Sequence, residues 1–301
     1  MSISHIEWTD ATWNPTTGCD KVSPGCDNCY ALTMAKRLKG MGNPKYQTDG
    51  NPRTSGPGFG ITAHADMLTA PLRWRVPRRV FVNSMSDLFH ARVPREFVAQ
   101  VWDVMARTPQ HTYQILTKRP DRMARVVKAL PAGPWHAAPL PNVWLGTSVE
   151  DQARADQRIP HLYDTPAAVR FLSVEPLLEA VDIGRYLWLT SSNTAGPWRD
   201  FNGRVRVGGS GVGGQTFTSI PTRDLDWVII GGESGPRARE MRLPWVRHLL
   251  AQCTEAKVPV FVKQLGSVWA RNFALGQLDP KGGDLDRWPV ELRVREYPAG
   301  T

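Results

Sequence analysis

From Arg79 to Lys118 the chain reads RVFVNSMSDLFHARVPREFVAQVWDVMARTPQHTYQILTK. The run from Arg79 to Ser86 (RVFVNSMS) sets Val80, Phe81 and Val82 side by side instead of alternating them with polar residues. Strands covered on both faces read this way, as in a parallel sheet. Between Pro94 and Arg107 the apolar residues Phe97, Val98, Val101, Trp102 and Met105 recur at helical spacing. Pro94 suits the first turn of that helix. A second apolar run, Thr112 to Lys118 (TYQILTK), closes the segment. Strand, helix and strand within this length make a β-α-β unit.

The same alternation extends in both directions. Further strands are expected at Asn142 to Val149 (NVWLGTSV), Val169 to Val174 (VRFLSV), Asp226 to Gly232 (DWVIIGG) and Val258 to Gln264 (VPVFVKQ), with an earlier one around His5 to Thr9. Helical patterns cover Pro120 to Leu130, through Met123, Val126, Val127 and Leu130, and Pro244 to Ala256, through Val246, Leu249, Leu250 and Cys253. Cys253 lies in that apolar stripe and reads as a buried structural thiol. Repeated β-α units of this length point to a (β/α) barrel or an open doubly wound sheet. Ser191 to Thr222, rich in Gly, Ser and Thr, breaks the rhythm and reads as an inserted hairpin or mobile loop. After Ser267 the chain is rich in loops, and Trp269, Phe273, Trp288 and Tyr297 imply that it packs on the body.

The chain has 301 residues and is 41% hydrophobic, enough for a sizeable core, which excludes wholesale disorder. No run approaches the roughly 18 apolar residues of a membrane span. Met1 to Asp10 lacks the basic and apolar segments of a secretory signal, so a cytoplasmic location and no membrane partner are expected. The net charge of +9 suggests an anionic partner such as nucleic acid. Basic residues gather at Arg73, Arg75, Arg78 and Arg79 around Trp74, at Lys118, Arg119, Arg122, Arg125 and Lys128, and in the insert at Arg199, Arg204 and Arg206. Either a solvated face or a nucleic-acid contact accounts for them.

Three of the four cysteines, Cys19, Cys26 and Cys29, fall in one loop with the spacing C-x6-C-x2-C. A secreted disulfide scaffold has more cysteines, spread along the chain. Gly18, Pro24 and Gly25 permit the turns that bring sulfurs together. A helix is expected from Cys29 to Leu38. Three thiolates can hold three irons of a [4Fe–4S] cluster and leave the fourth iron open to a small molecule such as S-adenosylmethionine. The alternatives are structural zinc, which wants a fourth ligand such as His5 or His64, and free thiols.

WNPTTGC and VSPGCDNCYA, between Trp13 and Ala31, are followed in order by FVNSMSDLFH, ILTKRP, WLGTSVE, RFLSVEPLL, WVIIGGESGPRAR, PVFVKQLG and LRVREYP. Together they resemble a three-cysteine-motif family of phages and mobile elements, over nearly the whole chain except the insert. That family is similar to the radical S-adenosylmethionine superfamily. The resemblance implies a full or partial TIM-like (β/α) barrel over residues 1–266, with the Gly/Ser-rich insert 191–222 and a C-terminal extension 267–301. It implies a [4Fe–4S] cluster on Cys19, Cys26 and Cys29, S-adenosylmethionine as cofactor, and an enzyme that makes a 5′-deoxyadenosyl radical. Tyr30 matches the superfamily's aromatic residue after the last cysteine. The usual spacing is C-x3-C-x2-C, so the first gap here is longer by three residues.

Barrel enzymes place their chemistry at the carboxyl ends of strands. Those ends carry Asn83, Ser84, Ser86 and Asp87; Thr117, Lys118 and Arg119; Thr147, Ser148 and Glu150; Ser173 and Glu175; Glu233 and Ser234; and Lys263 and Gln264. Ser84, Ser86 and Asp87 would accept from the cofactor's ammonium, the task of a Gly-Gly-Glu segment that is absent from this strand. Lys118 or Arg119 would pair with its carboxylate, and Ser148, Glu150 or Glu175 would bond the ribose hydroxyls. Ser148 and Asp151 read equally well as helix caps. Gly231 to Gly235 would approach adenine or substrate, or simply form a tight turn. The expected substrate is nucleic acid, with DNA repair by a lyase and base modification both compatible, and a partner protein encoded nearby is expected. The alternative is a non-catalytic, zinc-bound nucleic-acid-binding protein. A third reading keeps the cluster in a purely structural role.

Overall fold

The computed structural model describes residues 4, 6–130, 139–187, 198–199, 205–206, 225–273 and 278–299. Seven strands form one sheet: β1 (Ala11–Trp13), β2 (Arg79–Val82), β3 (Thr112–Thr117), β4 (Val143–Ser148), β5 (Val169–Val174), β6 (Trp227–Gly231) and β7 (Val260–Gln264). They lie in sequence order and every pair is parallel. The longer helices between them are α1 (Tyr30–Gly40), α2 (Arg95–Ala106), α3 (Pro120–Lys128), α4 (Gln152–Tyr163) and α5 (Leu243–Glu255), and α6 (Ser267–Asn272) follows β7. Strands that wind on in one direction curl the sheet into a half-barrel with helices outside it.

The strand alternation explains the two cores. Val80, Val82, Tyr113, Ile115, Leu145, Leu172, Val228 and Ile230 face outward and pack with Val98, Val101, Met105, Met123, Ile159, Leu249 and Cys253 of the helices. The concave face carries Phe81, Trp144, Phe171, Trp227, Ile229 and Phe261, gathered around Trp8. The Trp8 ring lies 4.8 Å from Phe81 on β2 and 6.2 Å from Trp227 on β6, so strands four places apart in the sheet meet at one side chain. Gly146 makes room for this plug, since a Cβ there would sit 2.5 Å from the Phe171 ring.

The first strand is a correction. It was expected at His5 to Thr9, but the strand is Ala11–Trp13; His5 lies outside the described residues. The chain turns at residues 6–8, with Thr9 N–H bonded to Ile6 O at 3.2 Å, because Trp8 is needed inside the curl. β2 ends at Val82, ahead of the expected Ser86, because Asn83 turns out of the strand at φ 67°. Helix α4 begins at the Asp151 cap, whose Oδ1 accepts from Arg154 N–H at 2.8 Å, while Ser148 belongs to β4 and caps nothing.

The tail hydrogen-bonds along β7. Val262 N–H bonds Val294 O at 2.9 Å and Glu296 N–H bonds Val260 O at 2.8 Å, covering the outer edge of β7. Tyr297 then stacks on Trp227 at 5.4 Å and lies 4.3 Å beneath the Arg79 guanidinium. Phe273 is exposed, although its ring contacts Trp269 at 4.8 Å. Within the insert, Trp198–Arg199 and Val205–Arg206 pair antiparallel, and the rest of 191–222, Arg204 included, lies outside the described residues. No helix among the described residues is long and apolar enough to cross a membrane.

Candidate functional site

After β1, Thr16–Thr17 pairs antiparallel with Thr62–Ala63, and the cysteine loop begins. Gly18 takes φ +89° and donates its N–H to Met85 O at 3.0 Å. A Cβ at Gly18 would fall 2.1 Å from Gly60 O, so only glycine fits where the loop meets the end of β2. Pro24–Cys26 forms one 3-10 turn, and Cys29 is the N-cap of α1. The small residues Ala31 and Ala35 let α1 settle on Tyr46, Phe59 and Met85, against which Cys19 and Cys29 also pack.

Two carboxylates from the strand ends hold this loop. Glu150, fully buried after β4, accepts from Gly25 N–H at 3.2 Å and from Arg158 Nη1 at 2.9 Å. Glu233, after β6, accepts from Asn28 Nδ2 at 3.0 Å and from Arg239 Nη2 at 2.6 Å. Arg239 also donates to Pro24 O at 2.8 Å. Burial raises the pKa of both carboxyls, but the Arg158 charge and the Arg239 and Asn28 hydrogen bonds outweigh it and leave both below the ordinary glutamate value.

A third tether grips the start of the loop. Arg119 donates from Nη1 to Cys19 Sγ at 3.4 Å and from Nη2 to Asp20 O at 3.0 Å. Its other partner is Asp87 Oδ2 at 3.0 Å. Asp87 is buried and also accepts from Thr117 Oγ1, Phe89 N–H and Lys118 N–H. Asp20 accepts from Thr54 and Ser55 hydroxyls and bonds His90 Nε2 at 3.0 Å. Burial raises the Asp20 pKa, and these hydrogen bonds overcome it, to about 2.

The expected strand-end residues do gather beside the loop. Tyr30 Oη donates to Ser84 O at 2.5 Å and feels the charges of Cys29 and Glu175. Glu175 Oε1 pairs with Lys263 Nζ at 2.5 Å. Lys118 has no side-chain partner among the described residues, and its charge acts on both Cys29 and Glu150. Ser148 is buried next to Glu150. Ser86 instead bonds Thr16 Oγ1 at 2.7 Å and Thr16 O at 3.0 Å, so it ties the loop to β2. Asn83 is buried, and neither side-chain polar atom has a partner among the described residues. Gly232 belongs to a tight crossing, with a Cβ position 2.6 Å from Leu265 O.

The three loop thiols are unbridged. Cys26 lies close enough to raise the pKa of both Cys19 and Cys29. Burial is the largest cause at each, and takes Cys19 to about 12. No group of three or more His, Cys, Asp or Glu among the described residues is arranged to hold one metal ion. A cubane differs, because each thiolate takes its own iron and the sulfurs stand apart around it. Of the expected fourth zinc donors, His64 has its Nε2 bonded to Thr17 Oγ1 at 2.8 Å, and His5 lies outside the described residues. Three free thiols in one loop are the donor type that a [4Fe–4S] cluster takes.

The basic groups divide. Arg78 and Arg79 stand at the start of β2, the end of the sheet away from the cysteines, and Arg79 is paired with Asp10. Arg122 donates to the carbonyls of His90 and Val93, Arg125 pairs with Asp121, and Lys128 with Asp164. Of that second cluster only Lys118 and Arg119 reach the loop. Cys253 is buried in the core, its pKa raised to about 12 by burial.

Arg158, Arg239, Asn28, Asp20 and His90 were missing from the sequence-level site. Arg239, six residues after Glu233 in GESGPRARE, and Arg158, on the helix after Glu150, each trace back to a carboxylate in the expected set.

A family model described as "Protein of unknown function (DUF5131)" matches residues 3–289. No curated protein and no solved structure matches the chain.

Proposed function

We propose, for this chain that belongs to the DUF5131 family, that it is a radical S-adenosylmethionine enzyme acting on nucleic acid. The observation that carries the reading is the loop of three unbridged thiols, held over the carboxyl ends of a curled parallel sheet beside Lys118, which has no side-chain partner among the described residues. Cys19, Cys26 and Cys29 would be the ligands of a [4Fe–4S] cluster. A cluster bound there would supply the one electron that reductive cleavage of S-adenosylmethionine to methionine and a 5′-deoxyadenosyl radical requires.

The chain's own residues bind, orient and shield. Lys118 would offer its ammonium to the cofactor's carboxylate. The Glu175–Lys263 pair would present an acceptor and a donor to ribose hydroxyls, whereas Glu150, fully buried, is taken up by Gly25 and Arg158, and Ser148 is buried beside it. Tyr30, the residue after Cys29, is tied by its hydroxyl to Ser84 O at the end of β2. The aromatic plug around Trp8 keeps water from reaching the site along the sheet axis. The net charge of +9 supports a polyanionic substrate, with DNA lyase and base-modifying chemistry both within reach.

Anaerobic reconstitution with iron and sulfide, followed by incubation with S-adenosylmethionine, dithionite and DNA, RNA or nucleosides, tests this reading. About four irons per chain and formation of 5′-deoxyadenosine are expected. A colourless protein carrying one zinc overturns the reading in favour of a non-catalytic binder. Iron uptake without 5′-deoxyadenosine assigns the cluster a structural role.

A further inference from the structure

We infer that Arg119 sets the reduction potential of the cluster by directing a charged N–H at the sulfur of Cys19. The inference rests on the reading of Cys19, Cys26 and Cys29 as cluster ligands.

The three sulfurs have unlike surroundings. The backbone N–H groups of Ala31 and Leu32 at the start of α1 stand near Cys29. Among the described residues, Cys26 has the Ser23 hydroxyl 4.0 Å away and Cys19 has a guanidinium, with Nη1 at 3.4 Å. That guanidinium is fixed. Asp87 holds Nη1 from behind at 3.0 Å, Asp20 O holds Nη2 at 3.0 Å, and Arg119 N–H bonds Thr117 Oγ1 at 2.9 Å. Both side chains of the ion pair are largely buried, which keeps water from screening them.

Reduction adds negative charge to a cluster, and part of that charge is carried on the cysteine sulfurs. Hydrogen bonds to those sulfurs stabilise the reduced form and raise the potential. Asp87 acts on Cys19 in the opposite sense, and its charge offsets that of Arg119. What remains is the N–H aimed at the sulfur. Removing either member of the pair should therefore move the potential, in opposite directions. Cys19 is also the ligand displaced by the longer first gap of the motif.

The test is an EPR-monitored dithionite titration of the full chain, reconstituted anaerobically, with iron and sulfide counted for every variant. Arg119→Met should lower the midpoint by at least a factor of ten in the reduction equilibrium, about 59 mV for one electron. Asp87→Asn should raise it. Arg119→Lys, which keeps the charge but not the planar fork, should fall between wild type and Arg119→Met. Equal midpoints for wild type and Arg119→Met at full iron content overturn the inference and leave the ligand reading standing. An Arg119→Met protein that takes up no iron makes Arg119 a structural clamp and likewise overturns it. Wild-type protein that takes up no iron defeats the ligand reading itself.

Discussion

Cys19 is partly buried, and burial raises its thiol to about 12 and raises that of Cys29 as well, so a metal bound at these sulfurs would have to displace protons. Cys26→Ala removes the sulfur between them, and iron per chain, measured after anaerobic reconstitution, should fall from about four to near zero. Asp87→Ala leaves the Arg119 guanidinium buried with no carboxylate beside it. Breaking a buried pair this way costs about 3–5 kcal/mol, to be read as a lower urea midpoint. The cysteines and Asp87 were legible in sequence because their spacing and their position at strand ends carry the signal. Ser86 was legible as a strand-end hydroxyl, but its partner Thr16 was not, since the two meet only when β1 and β2 pair. Arg158 and Arg239 escaped for a related reason: an arginine on a helix or loop looks solvated until the carboxylate it folds onto is known.

At the level of elements, the cysteine loop is held from three sides by β2–β3, β4 and β6. Glu233 has a depressed pKa in the folded state, so its contribution is fully present above the unfolded glutamate value, about 4.3, and is lost as pH falls through its lower folded value. Hydrogen-exchange protection of the Gly25 amide, which donates to Glu150 in a loop that Glu233 ties through Asn28 Nδ2 and Arg239, should hold from pH 7 to 5 and fall below that window once corrected for intrinsic rates. Glu233→Gln should weaken protection already at pH 7. Trypsin cleavage after the partly exposed Lys21 provides a second measure of the same loosening. The continuous apolar runs made β2 to β7 readable to within a few residues, because each is buried on both faces. β1 was not, since Ala11–Trp13 is short and the stronger apolar residue nearby, Trp8, serves the plug. Only the cap of α4 was read in advance, because Pro160 and the charged residues interrupt its apolar stripe.

At the scale of the molecule, the curl of the sheet was the least legible feature. A run of β-α units fits an open sheet or a barrel equally well, and the choice lies in side chains that meet across the concave face. Trp8 makes that choice by touching both β2 and β6. Trp8→Ala should lower stability by about 3–5 kcal/mol, measured by chemical denaturation. The tail was legible as packed, through its aromatics, but its part in covering β7 and reaching Arg79 was not. Seven large side chains, Trp8 among them, fill the concave face. Because the ring that spans β2 and β6 comes from a turn ahead of β1, the curvature of the sheet hangs on a residue that belongs to no strand.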